Sequence, residues 1–250
     1  MRAIPIACLL TLASAFAPAQ SATLRVAAAA DLQPVLPQIV TDFEQKTGKH
    51  VVVSYGASAT LATQILNGAP FDLFLSADLS FAQKVADAGL SDAPLPYAKG
   101  TLVLFARKDS PVQPLSLDSL RNAKLHRLAV ANPHAAPYGR AAQAAIEHLH
   151  LTAELQPKLV IGEDIGQTAQ FAQTGNADAG LISLTSALSA AFRESGTYVV
   201  VPPEDYPPLV QGAVVLKHSS GAAYGQMLLE FLLSPASQSA FARGGLQPVK

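Results

Sequence analysis

The sequence predicts an α/β protein with two lobes, each a mainly parallel sheet flanked by helices, and a ligand cleft between the lobes. Short apolar runs alternate with amphipathic helical stretches from Thr23 onward, which is typical of parallel strands joined by helical crossovers. The alternation occurs twice, without an internal repeat that aligns residue by residue. Ligands of such sheets bind at the carboxyl ends of the strands, so the strand-to-helix turns are the places to search for a site.

The first 22 residues have the features of a secretory signal peptide and are set apart from the fold. Arg2 provides the positive charge, residues 4–16 form an apolar stretch, and residues 17–19 form an A-x-A cleavage pattern. The apolar stretch is shorter than the roughly 20 residues that a membrane-spanning helix needs. The single cysteine, Cys8, lies in this segment, so the mature chain is predicted to contain no disulfide.

The first unit follows the strand-helix alternation closely. Each strand is a short apolar run, and the helices stop at glycine or Asn-Gly, which commonly end helices. The predicted strands span 24–29, 51–55, 71–75 and 101–106, and the predicted helices span 32–47, 60–66 and 79–88. The last of these strands carries the chain out of the first unit.

The second unit repeats the pattern, and the chain then returns to the first unit. The predicted strands span 126–131, 158–161, 180–183, 199–201 and 210–216, and the predicted helices span 117–121, 140–150, 168–173, 185–193 and 224–233. The segment 235–242 closes the chain. The predicted organisation is a signal peptide at 1–22, lobe 1 at 23–102 together with 204–250, and lobe 2 at 103–203.

Charge and histidine spacing exclude some classes of partner. Only 14% of the residues are charged, the formal net charge is −1, and no run of Lys or Arg occurs, which argues against nucleic acid as a ligand. The six histidines show no metal-ligand spacing, so neither a metal site nor a cofactor is predicted. An anionic ligand would have to be held by neutral donors rather than by cationic side chains.

Four strand-to-helix turns are rich in Ala, Gly and Ser and poor in charge. They read AAAADL at 27–32, YGASAT at 55–60, HAAPYG at 134–139 and EDIGQT at 163–168. A helix N-terminus offers unpaired backbone N–H groups and a partial positive charge, so such turns hold small anions. The sequence therefore predicts one anion site assembled from several turns.

Ser58 is the most specific polar residue of these turns, and three roles are open for it. Its hydroxyl could bind an oxyanion, or it could be an ordinary helix N-cap. The residues 56–60 also half-match the nucleophile elbow G-x-S-x-G, with Thr60 in the last position. A serine esterase is the remote alternative, because His218 is the only late histidine and no HGG-type oxyanion motif precedes it.

Together the turns resemble those of the periplasmic molybdate-binding proteins of ABC importers, which have the type II periplasmic binding-protein fold. The motifs are GASATLATQI, NGAPFDLFLSAD, NPHAAPYG and EDIGQTAQF, in this order and spacing, and the resemblance covers essentially the whole mature chain. It implies a periplasmic, monomeric, non-enzymatic protein that binds molybdate or tungstate between its lobes and delivers it to a membrane-embedded permease. Another oxyanion, such as phosphate or arsenate, or a small organic anion is the alternative ligand.

The resemblance also implies the site residues. Asp31 and Ser58 match the ligand positions of the first two turns, and Tyr138 and Ile165 match positions that donate backbone N–H groups. Two additional positions are Ala30, which precedes Asp31, and Ser183, which stands where some relatives have a tyrosine hydroxyl.

Asp31 departs from the Ser or Asn that the family usually has at this position, and an ionised carboxylate would repel a dianion. It could cap its own helix and offer only its N–H, it could be protonated and donate, or it could accept a proton that the ligand carries. Capping is the expectation that we favour here, because Asp is a common N-cap residue. Its pKa is then expected to stay near the ordinary value of about 4.

Overall fold

The computed structural model describes residues 23–249, so the predicted signal peptide lies outside the described residues. The described chain forms two five-stranded sheets flanked by helices. Its strands are β1 (Leu24–Ala29), β2 (Val51–Gly56), β3 (Leu73–Ser76), β4 (Leu95–Gly100), β5 (Leu102–Arg107), β6 (Leu128–Ala131), β7 (Leu159–Gly162), β8 (Ala179–Ser183), β9 (Gly196–Val200) and β10 (Leu209–Val215). Its α-helices are α1 (Leu36–Thr47), α2 (Ser58–Leu66), α3 (Leu79–Asp87), α4 (Pro137–His148), α5 (Thr152–Leu155), α6 (Ile165–Thr174), α7 (Leu184–Leu188), α8 (Ala190–Ser195), α9 (Ala222–Leu233) and α10 (Pro235–Arg243).

The two sheets have equivalent topologies. The first has the order β2-β1-β3-β10-β4 and the second the order β7-β6-β8-β5-β9. In the first sheet β10 runs antiparallel to both of its neighbours, and in the second sheet β5 does the same. Four strands of each sheet therefore share one direction. The predicted mainly parallel character is confirmed, with one reversed strand inserted in each sheet.

The inner strands of each sheet are buried on both faces, which explains why they consist of continuous apolar runs. In β1, Val26 and Ala28 face a core that includes residues of α1 and α9, whereas Ala27 faces a core formed with α2 and α3. In β5, Leu104 and Phe105 likewise belong to two different cores. Helices on both sides leave only the sheet ends open, so a ligand has access only where strands end.

The chain passes between the sheets twice. Only Thr101 separates β4 of the first sheet from β5 of the second, and residues 201–208 lead back from β9 to β10. The Tyr206 hydroxyl accepts from the amide of Leu102 at 3.1 Å, which ties the two crossings together. The carbonyl of Thr101 accepts from the amide of Leu184 at 2.9 Å.

One core cluster extends across the cleft. It is formed mainly by residues of the second sheet and its helices, but it also contains Ala29, Ala30 and Ala77 from the turns of the first sheet. These three side chains are methyl groups, and Leu209 of β10 is the larger side chain that the first sheet adds to the cluster.

Two elements differ clearly from the sequence prediction. Strand β4 was not predicted, because Pro96 and Lys99 interrupt its apolar character. It lies at the edge of the sheet, where it pairs with β10 and forms one isolated bridge from Lys99 to Gln247, and an edge strand tolerates both residues. The predicted helix at 185–193 is two helices. Ser189 adopts an extended backbone between them, and its hydroxyl donates to the carbonyl of Ser186 at 2.8 Å, which ends α7.

The start of α1 also differs. The chain forms a 3-10 turn at Ala30–Leu32 and begins the α-helix only at Leu36, whereas one helix from residue 32 was predicted. The short helix α5 was not predicted. Within residues 23–249, no helix has the length and apolar character that a membrane span requires.

Candidate functional site

A small cavity lies where the two sheets face each other. Its volume is about 10 Å³, measured as space open to the centre of a water-sized sphere. The first wall of the cavity is formed by residues 29–31, 56–58 and 77, which follow β1, β2 and β3. The second wall is formed by residues 136–138 and 164–165, which follow β6 and β7. The predicted residues Asp31, Ser58, Tyr138 and Ile165 all line this cavity.

Both walls present helix starts to the cavity. Ser58 and Ile165 are the first residues of α2 and α6, and Tyr138 is the second residue of α4. Amides in the first turn of a helix have no acceptor within the helix. In the described chain, none of these three amides donates to a backbone carbonyl elsewhere. Three N–H groups with the positive end of the helix dipole behind them are therefore available to an anion.

Ser58 is buried, and its hydroxyl does not cap a helix. The N-cap of α2 is Ala57, and the Oγ atom of Ser58 instead accepts from the amide of Ala77 at 3.0 Å. The N-cap alternative is therefore wrong. Because the oxygen is held as an acceptor, its proton remains free to be donated into the cavity.

The esterase alternative has no geometric support. His218 lies in a separate surface cavity of about 300 Å³, next to Arg25 and Asp72, and Ser58 does not line that cavity. In residues 23–249, no histidine hydrogen bonds to Ser58. The base that a serine nucleophile needs is missing from the described site.

Asp31 is fully buried in the 3-10 turn at Ala30–Leu32. Its Oδ2 atom accepts from the Tyr138 hydroxyl at 3.2 Å and from the side-chain amide of Gln211. Its carbonyl oxygen accepts from the Thr185 hydroxyl at 2.7 Å. Its Oδ1 atom is buried and has no hydrogen-bond partner among the described residues.

The capping role expected for Asp31 is wrong. Ala29 is the N-cap of the 3-10 turn and Val35 is the N-cap of α1, and neither helix start has a side-chain cap. The expectation failed because the carboxyl group is engaged by Tyr138 and Gln211, which come from distant parts of the chain.

Burial changes the acidity of Asp31. Loss of solvent raises the pKa of its carboxyl group to about 7, although the hydrogen bonds from Gln211 and Tyr138 lower it in part. The expected ordinary pKa is therefore also wrong. Burial, together with the charge of Asp31, raises the pKa of the Tyr97 and Tyr138 hydroxyls well above the usual value, so both remain neutral donors.

Three polar residues of this network were not predicted. Gln211 is buried in β10 and accepts from the Tyr97 hydroxyl at 2.6 Å, while Thr185 contacts Asp31 from α7. The only sign of Gln211 in the sequence is that it is the single polar side chain in the strand LVQGAVV. Gly100 also contributes, because a Cβ atom there would overlap the Tyr138 hydroxyl.

The two additional candidates behave differently. Ala30 lines the cavity. Ser183 does not, because its Oγ atom caps α7 by accepting from the amide of Ser186 at 3.2 Å. Ser183 is therefore linked to the site only through Thr185, whose hydroxyl lies 2.8 Å from it.

Residues next to the cavity lining join the two walls directly. Arg140 of α4 forms an ion pair with Asp78 and lies over the ring of Phe81, 5.0 Å from its centre. The amide of Ala59 donates to the carbonyl of Ala135 at 3.0 Å. The two walls of the cavity are therefore in direct contact with each other.

The lining also limits the chemistry of the site. It contains no Lys or Arg side chain. In the described part of the chain, no group of three or more His, Cys, Asp or Glu side chains could hold a metal ion. The arrangement therefore suits a small ion that is bound by hydroxyl and amide donors.

Comparison with known proteins gives a consistent result. The family model for bacterial extracellular solute-binding proteins matches residues 24–247. The molybdate-binding protein ModA of Azotobacter vinelandii is 36% identical over 219 residues, which cover 87% of this chain and 86% of the relative. ModA of Rhodobacter capsulatus is 35% identical over 220 residues, with coverage of 87% and 85%.

A solved structure is similar over the same length. The Azotobacter vinelandii periplasmic molybdate-binding protein matches with a TM-score of 0.85 at 29% identity, covering 91% of this chain and all of that chain. The predicted two-lobed α/β fold of type II binding proteins is thereby confirmed. The chain belongs to the family of bacterial extracellular solute-binding proteins.

Proposed function

We propose that this protein is the periplasmic solute-binding component of an ABC importer and that it binds molybdate or tungstate between its two walls. The observation that carries the proposal is the cavity of about 10 Å³, whose lining offers hydroxyl and amide donors but no cationic side chain. The names of the ModA relatives supply the identity of the ligand. No catalytic step is assigned to the site.

The proposed ligand contacts come from both walls. The Ser58 hydroxyl, the amides of Tyr138 and Ile165, and Asp31 with the adjoining Ala30 would surround a tetrahedral oxyanion. A buried dianion requires a hydrogen bond for each of its oxygens. Charge-assisted hydrogen bonds contribute on the order of 1.5–3 kcal/mol each, so several of them support tight binding after the cost of closing the walls.

Size argues against one alternative. A cavity of about 10 Å³ is close to the space of a single water-sized probe, and a small organic anion would require the walls to move far apart. An inorganic oxyanion needs only a small separation. Organic ligands are therefore disfavoured.

A protonated oxyanion such as phosphate or arsenate is the second candidate, and one observation favours it. The Oδ1 atom of Asp31 is buried without a partner in the described residues, and an ionised Oδ1 could accept a proton from such a ligand. Molybdate carries no proton near neutral pH. The protonation state of Asp31 therefore decides between the two ligands.

We also propose the lobe boundaries and the hinge. Lobe 1 comprises 23–102 and 204–250, and lobe 2 comprises 103–203, with the hinge at Thr101 and at residues 201–208 where the chain crosses between the sheets. After removal of residues 1–22 the protein would act in the periplasm as a monomer and would pass its ligand to a membrane-embedded permease. Small-angle scattering that shows a smaller radius with ligand than without it would check the closure.

Isothermal titration of the mature protein with molybdate, tungstate, sulfate and phosphate tests the ligand. We expect micromolar or tighter binding of molybdate and tungstate and much weaker binding of sulfate and phosphate. Thermal unfolding gives an independent reading, because a ligand present at 100 times its Kd stabilises the folded state by about 2.7 kcal/mol. Tight phosphate binding without molybdate binding would reject the assignment.

A further inference from the structure

The two carboxyl oxygens of Asp31 are used unequally. Oδ2 accepts two hydrogen bonds, from the Tyr138 hydroxyl and the Gln211 amide, whereas Oδ1 is buried and unpartnered in the part of the chain that the structure describes. A neutral carboxylic acid has this division of roles. Its carbonyl oxygen accepts through two lone pairs, and its other oxygen carries one proton to donate.

The Gln211 side chain keeps Oδ2 in the accepting role. The Tyr97 hydroxyl donates to Oε1 of Gln211 at 2.6 Å, which directs the amide nitrogen of Gln211 toward Asp31. Gln211, Tyr97 and Tyr138 are all buried, so these directions are fixed by packing. Oδ1 is the carboxyl oxygen that remains available to a ligand in the cavity that Asp31 lines.

The surroundings of Asp31 contain no cation that could balance two negative groups. The titratable groups on the elements packed against it are Tyr55 on β2, Tyr97 and Lys99 on β4, Tyr138, Arg140, Glu147 and His148 on α4, and Asp164 at the start of α6. Glu147 and His148 lie more than two helical turns beyond Tyr138, at the far end of α4. The three tyrosines are neutral. Lys99 is exposed and does not line the cavity, and Arg140 is paired with Asp78.

Asp164 is the second carboxylate at the cavity, and it is already engaged. Its side chain caps α6 by accepting from the amide of Gln167 at 2.8 Å. A dianion placed beside an ionised Asp31 would therefore meet uncompensated repulsion in a water-poor site.

We infer that Asp31 binds the oxyanion as a neutral carboxylic acid, whose Oδ1–H donates to a ligand oxygen, so that capture of a dianion by a molecule with an ionised Asp31 is accompanied by uptake of one proton. This inference rests on the proposed function. The proton comes from solvent before or during closure of the walls. Oδ1 then keeps it for as long as the ligand is bound, and no proton passes to the ligand.

The acidity of the group sets the pH range of this coupling. With a pKa of about 7, Asp31 is mostly protonated at pH 6 and mostly ionised at pH 8 before the ligand arrives, and a bound anion raises the pKa further. Proton uptake should therefore be small at pH 6, about half a proton at pH 7 and close to one at pH 8. Affinity should be flat below about pH 6 and fall about tenfold per pH unit above about pH 7.

Titration calorimetry with sodium molybdate in pairs of buffers that differ in ionisation enthalpy measures this uptake directly. Wild type should take up protons in the amounts given above. Asp31→Asn should bind molybdate without proton uptake and with an affinity independent of pH, because the amide donates N–H at every pH. At pH 8 the variant should bind about tenfold more tightly than wild type.

Ser58→Ala is the matched control, since it removes a different donor from the same wall. It should bind more weakly than wild type but keep the same proton uptake and pH slope. Infrared difference spectra of wild type at pH 8 should show a protonated carboxyl band that appears with molybdate, and this reading needs no variant.

Three outcomes would count against these statements in different ways. Molybdate binding by wild type without proton uptake, and with flat affinity from pH 6 to 8.5, overturns the inference and leaves the proposed function standing. Absence of molybdate and tungstate binding overturns both. Tight phosphate binding that is lost in Asp31→Asn shows that an ionised Asp31 accepts a proton from the ligand, and it likewise overturns both.

Discussion

The two walls of the cavity would bind the same ion by different means. The first wall contributes side chains, the Ser58 hydroxyl and the Asp31 carboxyl group, whereas the second wall contributes the amides of Tyr138 and Ile165 at helix starts. Substitution deletes a side-chain donor, but it leaves a backbone donor in place. The first wall should therefore determine which ligand is preferred. The second wall should attract any anion through its backbone amides, largely independently of which side chains are present.

The largest expected effect concerns Asp31 of the first wall, whose ionisation should make the stability of the ligand-free protein depend on pH. The pKa of Asp31 is raised from 3.8 to about 7, so the unfolded chain loses its proton near pH 4 while the folded protein keeps it. The free energy of unfolding should therefore decrease by up to about 4 kcal/mol as the pH rises from about 4 to about 7. Above this range it should no longer change through Asp31.

Asp31→Asn should remove this decrease and be more stable than wild type at pH 8, with a smaller advantage at pH 5. Urea unfolding of both proteins at the two pH values measures it. Equal pH dependence in the two proteins would show that Asp31 ionises normally in the folded state.

The next effect tests the other side chain of the first wall. Ser58→Ala should weaken molybdate binding by about 1.5–3 kcal/mol, because the ligand loses a hydroxyl donor, and should also lower the ligand-free stability by about 1–3 kcal/mol, because the amide of Ala77 loses its acceptor. Ser183→Ala is the matched control: it removes the cap of α7 and should lower stability by about 1 kcal/mol with unchanged affinity. Calorimetry and thermal unfolding of both variants separate the roles, and the reverse pattern would contradict them.

Tyr138→Phe probes the point where the walls meet. It deletes one donor to Oδ2 of Asp31 but keeps the backbone amide, so the loss of affinity should be only about 0.5–1.5 kcal/mol. The Tyr138 hydrogen bond lowers the pKa of Asp31, so its removal should raise that pKa. The pH above which molybdate affinity begins to fall should then move upward. A downward movement would be inconsistent with the hydrogen bond described here.

The smallest effect is expected on the second wall. Ile165→Val trims a buried side chain and should cost about 0.5–1.5 kcal/mol of stability. Its effect on molybdate affinity should be less than twofold, because the proposed contact is the amide of residue 165. A large loss of affinity at unchanged stability would mean that the second wall also acts through side chains.

The sequence predicted the strands better than the starts of the helices at the cavity. Short apolar runs are local features, so most strand bounds follow from them, whereas α4 and α6 each begin three residues before the predicted start. Tyr138 and Ile165 were named from the resemblance to the family rather than from the helix pattern. Asp31 was placed at the cavity, but its capping role was wrong. The reason is that its amide partner Gln211 is 180 residues away, and no local pattern reports such a contact. Strand β4 was missed for a related reason, since its edge position is a property of the whole sheet.

The alanines where the walls meet have an energetic consequence. Ala29, Ala30 and Ala77 bring only methyl groups from the first wall of the cavity to the shared core, so parting the walls exposes little apolar surface at the cavity itself. At about 25 cal/mol per Å² of apolar surface, such an interface contributes little cohesion of its own. Leucines in these places would hold the walls together without an ion, and they would leave an adhesive patch whenever the walls opened. Small side chains instead leave the cohesion at the cavity to polar contacts, such as the Arg140–Asp78 ion pair and the proposed ion, so parting of the walls there would break no extensive hydrophobic seal.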